Sequence, residues 1–262
     1  MTRSHWGGIG GDQSFGTYFT NHFIALANLY CAYRLYQLNT ATLTDRERLT
    51  KLLFILGSIL EGISSFLAGI FHQKYVTTQS MEGERFWRIA MLLVVGSGGC
   101  RLIANSGIIQ STMLSSALRQ LSLIGLVGLA VALNLRDLPF LLTGIAAGVL
   151  PQIVTIIISA SYAFSVPSTA VKVPFKKALK TGLAGLAVLF GGAAAYGFGT
   201  DPCTNPCPID CPFFPPNLNH NAAFHLFQIL AVLLLGKARR SLMLGLSLRQ
   251  QEETSPAGKK QS

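Results

Sequence analysis

Five histidines carry the chemistry this chain offers: His5, His22, His72, His220 and His225. Two of them close the stretch N-H-N-A-A-F-H, and a third closes A-G-I-F-H. Neutral imidazole is a metal ligand, and three imidazoles with an open fourth position form the usual catalytic zinc arrangement. Zinc brings a bound water to a pKa of about 7, which makes it a nucleophile. His72, His220 and His225 are therefore the expected zinc ligands. Asn221, His22 and Ser65 are expected to support them, and Glu82 or Glu84 to move the proton. The plainer alternative is that these histidines bond headgroups or loop carbonyls. Solvated loop charge is the plainer alternative for the two glutamates.

Spacing puts further groups beside this set. Glu61, Ser65, Ala68 and His72 follow one another at intervals of four, three and four, which places them on one helix face. Glu61 lies roughly 16 Å along the axis from His72, too far to share one ion. It is expected to be protonated or paired with a donor such as Arg101. His220 and His225 are about 140° apart on an ideal helix, whereas Asn221 and His225 share a face. A helix that begins at Asn219 or Asn221 leaves His220 in or beside the lead-in, still able to turn inward.

Long apolar runs must position these residues. The chain has 262 residues, of which 50% are hydrophobic and only 12% charged, with a mean hydropathy of +0.45. Soluble domains carry about a quarter charged residues. The deficit predicts an all-α fold, a polytopic bundle of seven transmembrane helices. The expected spans are 16–37, 51–72, 86–105, 115–135, 139–164, 178–198 and 221–245, each near the 20 or so residues that a crossing requires. Residues 1–15 are then an exoplasmic segment, 16–248 the seven-helix domain and 249–262 a disordered cytoplasmic tail. The first 14 residues hold no apolar signal core, so the first long helix is expected to direct insertion. Pro139 suits a helix start, and Pro151 is expected to kink the fifth helix.

The formal charge of +10 concerns topology. The charges lie between apolar runs, so nucleic acid is not an expected partner and membrane lipid is. Arg3, Lys74, Arg85, Arg88 and Arg136 fall on one side of the expected bundle, and the other sixteen lysines and arginines fall opposite. That asymmetry predicts an exoplasmic N-terminus and a cytoplasmic C-terminus. The run V-K-V-P-F-K-K-A-L-K is expected to be a cytoplasmic connection that meets anionic lipid. Cys203, Cys207 and Cys211 lie in a loop without lysine or arginine, on the expected exoplasmic side. One disulfide with a spare thiol suits that loop better than a metal site, because zinc fingers use closer pairs. Cys31 and Cys100 are expected to pack within helices. The glycines of 96–99 and 191–195 are expected at close helix contacts.

L-A-G-I-F-H (67–72) and H-N-A-A-F-H-L-F-Q (220–228) resemble motifs of the superfamily that groups alkaline ceramidases with progestin and adipoQ receptors. E-R-F-W (84–87) loosely resembles the acidic start of that superfamily's third helix. The resemblance implies a seven-helix, metal-dependent membrane hydrolase, nearest to a branch with two histidines in H-N-x-x-[FY]-H. It assigns the ligands to His72, His225 and either His220 or Asn221. Two positions depart from it. The ceramidases have a serine where Ala68 stands, and their helix-three aspartate falls on Gly83. A lost hydroxyl removes a stabiliser of developing negative charge.

These features predict a zinc-dependent hydrolase of a lipid amide or ester. The alternatives are a non-catalytic lipid-sensing receptor on the same scaffold, and a solute or proton transporter that uses Glu61 and the histidines as a relay.

Overall fold

The structure, a computed structural model, describes residues 15–39, 41–74, 81–135, 145–200 and 220–255; the side chains of 15, 132–135, 145–146, 195–200 and 220 lie outside that description. Among the described residues seven α-helices follow in order: α1 (Phe15–Tyr36), α2 (Asp45–Lys74), α3 (Met81–Ile108), α4 (Thr112–Leu135), α5 (Leu150–Ser165), α6 (Thr169–Thr200) and α7 (His220–Thr254). A π-helical turn, Ile145–Val149, leads into α5. Among the described residues there is no strand. Within them α2, α3, α4 and a segment through the π turn and α5 (Ala147–Ser165) are long and apolar enough to cross a membrane.

Polarity runs from the inside outward as lipid requires. Leu26, Leu56, Phe66, Ile124, Val127 and Phe190 face out, whereas Asn28, Ser58, Asn105, Gln152, Thr155 and Ser159 are buried. Burying polar groups in the bundle and leaving aliphatic ones outside is favourable only against an apolar surrounding.

The helices start where local chemistry lets them. Thr44 and Glu47 form a reciprocal cap ahead of α2. The Thr44 amide donates to Glu47 Oε2 at 2.9 Å, and the Glu47 amide donates to Thr44 Oγ1 at 3.3 Å. Two otherwise orphaned donors are thus satisfied, and the helix begins six residues before the expected apolar run. Lys51 Nζ donates to the carbonyls of Tyr36 and Leu38, closing the end of α1 with a positive charge.

Three expectations need correction. The V-K-V-P-F-K-K-A-L-K run is not a connection but the first turns of α6, with Pro174 inside the helix. Val171, Phe175 and Ala178 stand at i, i+4 and i+7 and are buried, while Lys176, Lys177 and Lys180 point outward. α7 does not stop near residue 245. It continues to Thr254, past the start of the expected disordered tail, with Arg249 and Glu253 paired across one turn at 2.7 Å. Lys237, Arg239 and Arg240 imply from sequence that the last helix either ends near Gly236 or holds a basic ladder in the headgroups; instead the helix runs on, with Lys237 exposed and Arg240 half-buried but Arg239 only 1% exposed.

Pro151 stands in the first turn of α5. It has no amide hydrogen to give to the preceding turn, and the π turn ends just before it. There the backbone presses against Gly98 of α3, where a Cβ would lie 2.4 Å from the Ala147 carbonyl oxygen. Gly99 meets Leu126 of α4 comparably closely, so the 96–99 glycines serve packing. Asn105 anchors the same junction by donating to the Pro151 carbonyl at 2.9 Å. The 1–14 segment, the Pro139 start, the 256–262 tail and the Cys203, Cys207 and Cys211 loop lie outside the described residues.

Candidate functional site at the histidine end

α1 joins the two histidine-bearing helices. Thr20 and His22 are two residues apart, about 200° around the helix, so they face different neighbours. Thr20 faces α7, where its Oγ1 lies 3.0 Å from His225 Nδ1. His22 faces α2, with its ring laid over Gly69, where a Cβ would stand 2.6 Å from ring carbon Cε1. The same ring tilts against Phe66 at 5.1 Å. Among the described residues, buried His22 Nδ1 has no hydrogen-bond partner. The start of α1, the end of α2 and the start of α7 therefore lie at one end of the bundle, as the ordering of the spans requires.

The bond between Thr20 and His225 assigns a tautomer. Thr20 Oγ1 also lies 2.7 Å from the Gly16 carbonyl oxygen, which can only accept. The single hydroxyl proton goes there, so His225 Nδ1 carries a proton and donates to Thr20. His225 is 7% exposed and His72 5% exposed. His72 ends α2 against α3, its ring edge-on to Trp87 at 6.1 Å. Asn221 is half-buried in the first turn of α7. His220 opens that helix, and its side chain is outside the described set. Among the described residues, no three His, Cys, Asp or Glu side chains form a metal-ligand group.

The supporting residues divide. Ser65 is buried on the same face of α2 as Ala68 and His72. Ala68 itself belongs to an apolar cluster with Phe71, Trp87, Met91 and Val95. Glu84 bonds Arg88 at 2.7 Å, both about one-fifth exposed, while Glu82 is exposed. Deeper in the bundle Glu61 pairs with Arg101, one of the two states its sequence position allowed.

An apolar groove of about 530 Å³ runs between α1 and α2, lined by Ala25, Leu26, Leu29, Ile63 and Phe66 and reaching His22. It opens on the aliphatic outer surface. A family model described as a family of unknown function, DUF6962, matches residues 16–244. The chain belongs to DUF6962. No curated protein and no solved structure matches it. The DUF6962 match begins in the first turn of α1 and ends within α7. It takes in His22, His72, His220 and His225 and leaves out His5.

Sequence reasoning missed Thr20. Its one signal was the polar triplet Thr20-Asn21-His22 inside an otherwise apolar helix. Asn21 is buried and donates to the Thr17 carbonyl at 3.0 Å, so only Thr20 and His22 of the triplet reach the neighbouring helices.

Proposed function

We propose that this chain is a seven-helix membrane protein that cleaves an amide or ester bond of a membrane lipid at its histidine end. The observation that carries this reading is the His225–Thr20 hydrogen bond. A metal-ligating histidine characteristically gives its second ring N–H to a fixed acceptor, which sets the tautomer and aims the other nitrogen. Thr20 performs that office for His225.

The donor chemistry at this end fits a zinc ion. His72 and His225 would hold it with His220 or Asn221, and His22, packed over Gly69 of α2, lies at the same end of the bundle. Zinc would supply Lewis acidity towards a lipid carbonyl oxygen. The remaining work falls to the chain's own groups. The groove between α1 and α2 admits an acyl chain and leads its head towards His22. Glu84, steadied by Arg88, takes and returns the proton, with Glu82 as the alternative acid. The N-terminus and histidine end face the exoplasmic side in this account, and the C-terminus the cytoplasm, following the lysine and arginine asymmetry.

A lipid-sensing receptor is the second reading, favoured by Ala68 in its apolar cluster. Turnover separates the two. Purified protein in lipid nanodiscs, given a panel of ceramides and lysolipids, should release fatty acid, and His225→Ala should not. Equal release by both proteins would refute hydrolysis at this end. Lipid binding without release by the wild type would leave the receptor.

A further inference from the structure

The bundle interior holds more positive charge than its own side chains balance. Arg239 of α7 is 1% exposed, and its Nε and Nη1 have no hydrogen-bond partner among the described residues. Among the described residues, the charged side chains within its electrostatic reach are Arg101 and Glu61. Glu61 is engaged by Arg101. The neighbouring Cys31 gives its thiol hydrogen to the Val232 carbonyl, with sulfur and oxygen 3.6 Å apart, and so contributes no negative charge. Among the described residues of this layer, two guanidiniums thus stand against one carboxylate. A buried, unpaired guanidinium is strongly destabilising, and arginine cannot escape by losing its proton. Ser97, one turn from Arg101 on the same face of α3, adds a buried hydroxyl that also lacks a partner.

We propose that a small monovalent anion of the halide class binds inside the bundle against Arg239, beside the Glu61–Arg101 pair. One negative charge neutralises the layer. A doubly charged phosphate would invert the imbalance. The site lies about 21 Å along α7 from His225, so it stands apart from the proposed lipid chemistry.

The test uses the full chain in neutral detergent. Chloride or bromide is titrated in place of gluconate at fixed ionic strength, and melting temperature and radiolabelled chloride binding are read. The wild type should bind a single chloride per chain and gain several degrees. Arg239→Met, which keeps most of the stem and deletes the charge, should lose both effects. Glu61→Gln removes the competing carboxylate and should tighten chloride binding by about tenfold or more. Identical melting in halide and gluconate, with no bound chloride, would overturn the proposal. So would an undiminished response in Arg239→Met, or stabilisation by a fatty-acid carboxylate with halide inert. Should Arg239→Met fail to fold, Glu61→Gln decides, because unchanged or weaker chloride binding there contradicts the site.

Discussion

At the scale of single residues, Thr20 is the most consequential neighbour of the histidines. It accepts from His225 Nδ1 because its own proton is committed to the Gly16 carbonyl. Thr20→Val keeps the shape and deletes the acceptor. It should weaken zinc binding by about 10- to 100-fold, the usual effect of losing a partner that orients a ligand, and Thr20→Ser should restore it. Chelator competition measures both, and an unchanged affinity in Thr20→Val would remove the tautomer argument. The histidines themselves were legible in the sequence, because their residue type and their place at helix ends are informative without packing. Thr20 was not, since a threonine in an apolar helix gains meaning only from the helix it faces. Arg239 was hidden for a related reason. Three basic residues within four positions suggest a headgroup ladder, yet Arg239 lies about 200° from Lys237 and 100° from Arg240. That rotation turns it inward.

Among the elements, glycine separates tight from open contacts. Gly98→Ala would put a methyl 2.4 Å from the Ala147 backbone oxygen, and backbone cannot yield cheaply. It should lower stability by about 1–3 kcal/mol, the usual cost of overpacking. Gly128 of α4 has nothing within 4 Å of its would-be Cβ, so Gly128→Ala should be neutral or stabilising. Thermal melts of both variants in one detergent make the comparison, and equal losses would mean that α3 does not pack on the π turn as described. At the start of α2, Thr44→Ala should cost about 1 kcal/mol through the lost cap, read from the same melts. The existence of the helices was legible from apolar runs long enough to cross a bilayer. Their ends were less so, because capping and amphipathic extension lie outside the apolar run. The first turns of α6 show why: Val171, Phe175 and Ala178 are spaced for a buried face, but the lysines between them dominated the reading.

For the whole molecule, the sharpest structural consequence is that α1, α2 and α7 bring their histidines to one end. That shared end follows from the contacts His22 makes at Gly69 and Thr20 makes with His225. The exoplasmic side proposed for it rests on charge asymmetry alone. A glycosylation acceptor inserted in the α2–α3 connection should be modified, and one inserted at Val166–Ser168 should not; the reverse pattern would invert the topology. The all-helical architecture was legible because lipid leaves few other solutions. The interior ion pair was half legible, since Glu61 named its need and Arg101 was one of several donors that could have met it. The central claim is that the histidine end is a metal centre, and metal content tests it most directly. Wild type, His72→Ala and His225→Ala should be purified side by side and their zinc measured by mass spectrometry. The account predicts about one zinc per chain in the wild type and loss in both variants. A metal-free wild type, or zinc retained in both variants, would contradict it.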